Sequence, residues 1–220
     1  MNTVEIDHLV IVADNLAQGA AWCADVLGAA PQPGGQHVFM GTHNRLLALS
    51  SPGFPRSYLE IIAIDPQAPA PAWPRWFGMD TPVLRAATQR EPQLVQAMLR
   101  CTDLEATLSG LRTCGLNPGA ATAAYRDTPN GRLHWQVAVG DASGQERTGG
   151  CPPFIQWGPV HPTDQLPAGP LQLRRVAWSG LPGVALAVAN VMPRALPGWE
   201  VSLHGPLGEV TLRSFTAWGH

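Results

Sequence analysis

The chain is short of charge, and this shortage excludes several classes of partner. Charged residues make up 14% of the 220 residues, and the formal net charge at pH 7 is −2. Lys and Arg form no run, so the sequence lacks the electrostatic pattern typical of nucleic-acid or membrane-surface binding. We therefore expect neither nucleic acid nor a membrane as partner, whereas a small neutral or weakly anionic molecule fits this composition.

Cysteines and long hydrophobic runs are also scarce. The four cysteines form no CxxC pair, which predicts free thiols rather than a zinc knot or a disulfide framework. The longest apolar stretches, such as residues 183–192, are far shorter than the roughly 20 residues of a membrane span. The N-terminus lacks the basic-then-apolar pattern of a signal peptide, so we expect a cytoplasmic protein.

Hydrophobic residues make up 45% of the chain, enough for one large domain or two small ones around a core. Two polar residues stand out because each lies within an apolar β-run: His8 within residues 4–12 and Glu60 within residues 57–64. A polar group buried on a sheet costs free energy unless it has a partner. The two positions therefore indicate a lined pocket or a metal site rather than plain core.

The order of predicted elements indicates an internal repeat of two β-α-β-β-β units. The first predicted helix begins after Asp14 as N-cap and ends at Gly28. The second begins at a predicted capping box formed by Thr102 and Glu105. The predicted domain organisation has four parts: the first module (1–65), a Pro/Trp-rich connector (66–92), the second module (93–160) and a C-terminal extension that forms a partial further βαββ unit (161–220).

The sequence also predicts the structure of the connector and of the C-terminal extension. The aromatic residues of the connector indicate a flap that packs down, either as a lid over a ligand or as cover for the sheet. In the extension, the pattern predicts a strand over residues 171–178, a short helix near residues 184–192 and a hairpin over residues 199–215.

Several motifs together resemble the vicinal oxygen chelate superfamily, which includes glyoxalase I, extradiol dioxygenases and bleomycin-resistance proteins. They are the opening Ile6-Asp7-His8-Leu9-Val10, the strand Tyr58-Leu59-Glu60-Ile61, and the segments Gly34-Gly35-x-His37 and Ile155-Gln156-Trp157-Gly158. The finer pattern looks like the glyoxalase-like domain branch, and the resemblance covers about residues 4–160. It implies an α+β fold in which two tandem βαβββ modules form a curved mixed sheet, a half-barrel, around a pocket, with a C-terminal α/β extension.

The resemblance also implies a metal position between the first and last strands of each module. Aligning the two helix starts places Gln96 opposite His8 and Gln156 opposite Glu60, so these four residues are the implied ligands of a divalent metal, Zn, Ni, Fe or Mn. Gln156 stands where glyoxalase-type enzymes normally have a carboxylate. An alternative site joins His134 or His43 to His8 and Glu60 as a face of two histidines and one carboxylate; each of these histidines is also interpretable as a hydrogen-bonded pocket or core residue.

The candidate substrate-binding residues are all polar side chains of the predicted pocket strands. His43, Asn44 and Arg45 are predicted either to orient a carbonyl or carboxylate group or to form a solvated turn. The full candidate set is His37, His43, Asn44, Arg45, Gln96, His134 and Gln156.

The leading functional hypothesis is a lyase or isomerase in which Glu60 takes a proton from a carbon next to a carbonyl group, or from a water molecule. A metal at His8 or hydrogen bonds from Gln96, Gln156 and His43 would hold the resulting oxyanion. Burial would raise the pKa of Glu60, whereas a bound divalent cation would lower it.

Two alternatives remain open. A metal-free binding protein that sequesters a hydrophobic compound, as in bleomycin resistance, is favoured by the eight tryptophans and the missing carboxylate of the second module. An extradiol dioxygenase would need a second histidine ligand where Gln96 stands. Both a monomer and a homodimer are compatible with the sequence.

Overall fold

The computed structural model describes residues 3–128, 131–140, 151–181 and 186–215. The first unit contains β1 (Glu5–Val12), α1 (Leu16–Trp22), β2 (Gln32–His37), β3 (Thr42–Ala48) and β4 (Tyr58–Ile64). The connector contains a 3-10 turn (Trp76–Gly78) and α2 (Pro82–Thr88). The second unit contains β5 (Gln93–Arg100), α3 (Leu104–Thr113), β6 (Thr122–Thr128), β7 (Gly131–Ala138) and β8 (Phe154–Trp157). The C-terminal strands are β9 (Gln172–Trp178), β10 (Val191–Pro193), β11 (Trp199–Gly205) and β12 (Gly208–Arg213).

The strands of the two units form one mixed sheet in the order β2-β3-β4-β1-β5-β8-β7-β6. β1 pairs in parallel with β4 and antiparallel with β5, so the two units meet in the middle of the sheet. The sheet curves until it is nearly closed: Nη1 of Arg126 on the edge strand β6 lies 3.5 Å from Oδ1 of Asn44 on β3, near the opposite edge. The predicted α+β fold with a curved mixed sheet is confirmed.

Strand alternation divides the side chains of the central strands into two layers. On β4, Leu59 and Ile61 pack towards α1, α3 and the C-terminal strands, whereas Glu60 and Ile62 face the inside of the curve. Burying one such aliphatic side chain stabilises the fold by roughly 1.5–3 kcal/mol. A polar side chain on the inner layer therefore lies in apolar surroundings from which most water is excluded.

Both predicted helices begin one residue away from the predicted cap. Asn15, not Asp14, caps α1, because its side chain accepts a hydrogen bond from the Gln18 backbone N–H at 2.9 Å. Asp103, not Thr102, caps α3 and accepts from the Ala106 backbone N–H at 3.0 Å. In each case a carboxylate or amide on the residue just before the helix satisfies an N–H that the helix leaves unpaired.

The C-terminal strands form a separate sheet in the order β10-β9-β11-β12, and Trp178 and Trp199 stack on its surface with ring centroids 4.8 Å apart. The predicted strand and hairpin of the extension are present. The predicted helix near residues 184–192 is wrong for residues 186–192, where β10 starts and pairs with β9, and residues 184–185 lie outside the described residues. Asn190, with a φ of 60°, turns the chain into β10, so strand pairing overrides the helical propensity of this Ala- and Val-rich segment.

The connector is not irregular throughout. Thr81 caps α2, a helix that the sequence did not indicate, through a hydrogen bond from the Leu84 backbone N–H. Before it, the 3-10 turn brings Trp76 and Phe77 against the inner layer of the sheet. In the part of the chain that the structure describes, none of the helices has the length and apolar character that a membrane span requires.

Candidate active site

A pocket lies on the inside of the curved sheet, with the 3-10 turn of the connector over one side. It encloses about 520 Å³ of space, including its open mouth. Its polar side chains come from β1, β2, β3, β4 and β6, and its apolar wall comes from the connector and the second unit. The lining residues are His8, His37, Asn44, Leu46, Tyr58, Glu60, Trp76, Phe77, Met98, Arg126, Trp135, Val137, Val139, Ile155, Trp157 and Pro162.

A bulge in β1 brings two consecutive residues together at the base of this pocket. The register against β5 shifts between Ile6 and His8, which leaves Asp7 as the extra residue. Asp7 and His8 can therefore contact each other, although neighbours on a regular strand point to opposite faces. Oδ1 of Asp7 accepts a hydrogen bond from Nδ1 of His8 at 2.6 Å, which fixes the imidazole with its Nε2 directed at Glu60.

Asp7 is fully buried and its second oxygen is also occupied. Oδ2 accepts hydrogen bonds from Nε1 of Trp157 and from Nε2 of His161, both at 3.0 Å. Nδ1 of His161 lies 3.2 Å from the Thr163 backbone N and 2.8 Å from Oγ1 of Thr163, which holds the ring with Nε2 facing Asp7. Three donors thus compensate the desolvation of one buried carboxylate.

Glu60 lies opposite this pair and is held from both sides. Its Oε2 is 3.5 Å from Nε2 of His8. Its Oε1 accepts a hydrogen bond from Nδ2 of Asn44 at 2.6 Å and lies 3.8 Å from Nε2 of His37. Nδ1 of His37 is 3.1 Å from Oγ1 of Thr42. These contacts fix the carboxylate in one orientation at the wall of the pocket.

The charge state of Glu60 follows from these neighbours. Burial alone would raise the pKa of this carboxyl, but the hydrogen bond and positive charge of His8, together with His37 and Asn44, lower it to about 2. Glu60 is therefore a carboxylate at neutral pH. The raised pKa predicted for a metal-free site is wrong, because the contacts with His8, His37 and Asn44 outweigh the effect of burial.

The pKa values of the two histidines beside Glu60 are shifted in opposite directions. Burial alone would lower the pKa of His8, but the hydrogen bonds and charges of Asp7 and Glu60 raise it to about 9. Burial lowers the pKa of His37 to about 4, because the attraction of Glu60 is offset by the charges of Arg126 and His8. At neutral pH the pocket thus contains an imidazolium at His8 and a neutral imidazole at His37.

Four of the sequence-predicted residues meet in the pocket, namely His8, His37, Asn44 and Glu60. Gln96 and Gln156 do not. Oε1 of Gln96, at a bulge in β5, accepts from Nε1 of Trp199 at 2.6 Å. Oε1 of Gln156 accepts from the Leu104 backbone N–H at 2.7 Å at the start of α3. This placement corrects their predicted pocket role, because an alignment of sequence positions does not show which face of a strand is turned inward.

His43, Arg45 and His134 also lie outside the pocket, for the same reason. On β3, Asn44 and Leu46 face inward, so the alternate residues His43 and Arg45 face outward. His43 instead approaches Asp65, with Nδ1 4.0 Å from Oδ1. On β7, the inward side chains are Trp135 and Val137, and His134 is exposed. The predicted metal or substrate contacts of these three residues are corrected accordingly.

Sequence reasoning assigned no role to the other polar residues of the site. Asp7 had a recognisable signal, since it is a second polar residue inside the apolar run of β1. Tyr58 stacks on His8 with ring centroids 4.5 Å apart, and burial together with the Asp7 carboxylate raises its pKa. His161 and Arg126 lie far from Asp7 and Asn44 along the chain, and no local pattern predicts these contacts.

The residues of the pocket do not fit the divalent metal that the resemblance implied. In the described ranges, no group of three or more His, Cys, Asp and Glu side chains has an arrangement that could hold a metal ion. The second unit presents Met98, Ile155 and Trp157 to the pocket instead of ligands. The oxygens of Glu60 already face the Asn44 amide and the His8 ring. Gln96, the position at which an extradiol dioxygenase would need its second histidine, contacts Trp199 outside the pocket, and the β5 residue that pairs with His8 and lines the pocket is Met98.

Comparisons with known proteins agree with this architecture. A family model described as a glyoxalase-like domain matches residues 6–186. A hypothetical protein from Staphylococcus aureus has a similar crystal structure, with 17% sequence identity, a TM-score of 0.59, and coverage of 96% of this chain and 85% of that chain. Methylmalonyl-CoA epimerase from Mycobacterium tuberculosis is 20% identical, with a TM-score of 0.44 and coverage of 74% of this chain and 92% of that chain.

These similarities differ in what they establish. At these identities the Staphylococcus aureus structure shows the shared fold alone, and the TM-score of the epimerase supports no statement about activity. A search of curated proteins finds no match. The family match spans most of the chain, from β1 to beyond β9. The chain therefore belongs to the glyoxalase-like domain family of the vicinal oxygen chelate superfamily.

Proposed function

We propose that this protein is an isomerase or lyase that moves a proton at a carbon next to a carbonyl group, with Glu60 as the base. The observation that carries this proposal is the pairing of a buried, ionised carboxylate with a cationic histidine at the wall of an apolar pocket. A base and an acid held side by side are what enolisation of a carbonyl compound requires.

The mechanism uses the two groups together. The substrate carbonyl oxygen would accept a hydrogen bond from Nε2–H of His8, and Glu60 Oε2 would take the proton from the neighbouring carbon. Negative charge then moves from the Glu60 carboxylate to the enolate oxygen, while the His8 cation remains beside it. Asp7 is a positioning residue in this scheme, because its bond to Nδ1 of His8 keeps Nε2 directed into the pocket.

The contacts of Glu60 also bear on its strength as a base. A pKa of about 2 makes a weak base in the empty pocket. When the substrate oxygen takes over the His8 N–H, Glu60 loses one of the hydrogen bonds that depress its pKa, and its basicity rises. The 3.5 Å separation of Glu60 Oε2 and His8 Nε2 is longer than a strong charged hydrogen bond, which favours this exchange of partners.

Solvent deuterium exchange tests this proposal without knowledge of the natural substrate. We expect wild-type protein in D₂O to catalyse exchange of the hydrogen next to the carbonyl group in at least one of a panel of small ketones, aldehydes and 2-oxo acids, followed by proton NMR. Glu60→Gln should lower this rate by about 100-fold or more, the range typical of a lost general base. Dialysis against EDTA should leave the rate unchanged.

The control for this experiment is Glu105→Gln, which changes a carboxylate on the exposed side of α3. It should exchange at the wild-type rate. Exchange that survives in Glu60→Gln would contradict the role of Glu60, and exchange that is lost on EDTA treatment would contradict a metal-free mechanism.

A second candidate function is metal-free binding of a hydrophobic compound. The aromatic wall formed by Trp76, Phe77, Trp135 and Trp157 favours it, because such rings stack on a ligand without any proton transfer. Tight binding with no deuterium exchange in any compound of the panel would support this function instead.

A further inference from the structure

Arg126 is a cation at the pocket that has no partner of opposite charge in the part of the chain that the structure describes. Its guanidinium group lines the pocket from β6, and its Nε is buried with no hydrogen-bond partner. Nη1 of Arg126 approaches Oδ1 of Asn44 at 3.5 Å, the outer limit of a hydrogen bond. None of the ion pairs among residues 3–128, 131–140, 151–181 and 186–215 includes it. A buried donor left without an acceptor costs free energy, which an incoming anion would recover.

The neighbouring backbone makes room for this side chain. A Cβ at Gly35 on β2 would lie 2.5 Å from both Cδ and Nη1 of Arg126. A Cβ at Gly34 would lie 2.0 Å from Oδ1 of Asn44. Any side chain at either position would displace the Arg126 guanidinium or the Asn44 amide. The Gly34-Gly35 pair therefore allows both polar groups to reach the pocket from opposite edges of the sheet.

The amide of Asn44 connects Arg126 to the proposed base. Its Nδ2 donates to Glu60 at 2.6 Å, and its Oδ1 accepts from the Gly35 backbone N–H at 2.7 Å and lies 3.5 Å from Nη1 of Arg126. The guanidinium and the Glu60 carboxylate thus lie one amide group apart along the same wall. A small molecule with an anionic group on Arg126 has its adjacent carbon atoms next to Glu60.

The charges of the site favour a monoanion. The carboxylates of Asp7 and Glu60 face the His8 ring, whereas Arg126 lies at the pocket with no carboxylate of its own among the described residues. A bound carboxylate adds one negative charge to this apolar pocket, whereas a phosphate dianion adds two at a larger desolvation penalty. A carboxylate also matches the planar edge of a guanidinium with two parallel hydrogen bonds.

We propose, on the basis of the function proposed above, that the substrates are small carbonyl-containing carboxylic acids whose carboxylate binds Arg126. The carbon that loses its proton lies between this carboxylate anchor and Glu60. The rings of Trp76, Phe77 and Trp135 contact the apolar part of the substrate. Arg126 therefore selects acids over the corresponding esters.

Calorimetric titration of three 2-oxo acids, namely pyruvate, 2-oxobutanoate and phenylpyruvate, tests this selection. We expect wild-type protein to bind at least one of them, with phenylpyruvate bound most tightly, and to bind its methyl ester at least tenfold more weakly. Arg126→Gln should raise the Kd for the acid by 10-fold or more, as expected for a lost charge-assisted hydrogen bond, and leave the Kd for the ester unchanged.

Two further variants separate charge from structure. Gly35→Ala keeps the arginine but displaces it, and the backbone at residue 35 has no positive φ, so this variant should fold and still raise the Kd for the acid. Arg132→Gln removes an exposed arginine that pairs with Asp127 on the neighbouring strand, and it should bind the acid as wild type does. An equal loss of acid and ester binding in Arg126→Gln, tighter binding of benzylphosphonate than of phenylpyruvate, or no binding of any of the three acids would overturn the proposal.

The two proposals fail in different ways. If Arg126-dependent binding of acids occurs without deuterium exchange, the carboxylate anchor stands and the isomerase or lyase function is wrong. If neutral ketones exchange in a Glu60-dependent reaction that Arg126→Gln and Gly35→Ala do not change, the function stands and the carboxylate anchor is wrong.

Discussion

Asp7→Asn is expected to lower the free energy of unfolding by about 3–5 kcal/mol, the usual result of removing one partner from a buried ion pair. The Asp7 carboxylate is fully buried, and its neighbours lower its pKa well below the usual range, although burial opposes this shift. The substitution leaves the buried cation of His8 without its 2.6 Å partner, and the neutral amide replaces one acceptor oxygen with a donor that faces Nε2–H of His161 or Nδ1–H of His8. Urea denaturation followed by tryptophan fluorescence measures the change.

The matched control is Asp127→Asn. Asp127 also forms a 2.6 Å ion pair, with Arg132, but both side chains are more than half exposed and solvent screens their attraction. We expect little change in this variant. If Asp7→Asn were as stable as Asp127→Asn, the buried network around Asp7 would not contribute to stability as the contacts indicate.

A second readout separates the positioning role of Asp7 from its contribution to stability. Burial lowers the pKa of His8 and the Asp7 carboxylate opposes this effect, so without that carboxylate the pKa of His8 should fall from about 9. An NMR titration of the ring protons in folded Asp7→Asn would detect this fall. A variant that is only less stable, with His8 still paired to a carboxylate, would keep the high pKa of His8.

The order of the strands and helices could be predicted from the sequence because it depends on local patterns, whereas the curved sheet was implied by the resemblance to the vicinal oxygen chelate superfamily. The apolar alternation around His8 and Glu60, the turn residues between the strands and the repeated order of elements are all visible along the chain. His8 and Glu60 were predicted in the pocket for the physical reason that holds in the structure, since each is a polar side chain that a sheet buries only where it has partners.

The rest of the site depends on features that single-strand patterns do not encode. The bulge at Asp7 turns two consecutive side chains towards one cluster, and the bulge in β5 directs Gln96 to Trp199 instead of the pocket. His161 reaches Asp7 across 154 positions of the chain, and Arg126 reaches Asn44 only because the sheet closes on itself. Such contacts follow from the curvature of the whole sheet, which a repeat alignment does not determine.

From the pKa values of the buried histidines His8 and His37, we predict that the free energy of unfolding has its maximum near pH 6.5 and falls at lower and at higher pH. His8 has a folded pKa of about 9, above its unfolded value of 6.5, so its contribution is fully present below pH 6.5 and is lost as the pH rises to 9. The difference corresponds to about 3 kcal/mol of unfolding free energy. His37 acts in the opposite direction: its folded pKa of about 4 lies below 6.5, so stability is lost as the pH falls from 6.5 to 4. Urea denaturation at intervals of half a pH unit from pH 4 to 9 measures the decrease in unfolding free energy on both sides of the maximum.

Two variants test whether His8 causes the loss of stability between pH 6.5 and 9. His8→Gln should lose the fall between pH 6.5 and 9, whereas His134→Gln, which removes an exposed ring, should keep it. The buried thiols of Cys23 and Cys151, whose pKa values burial raises to about 12 and about 11, add a further loss only above pH 9, where thiols ionise in the unfolded chain. A wild-type unfolding free energy that stays constant or rises between pH 6.5 and 9 would mean that His8 is not a buried cation, and the acid of the proposed mechanism would be lost with it.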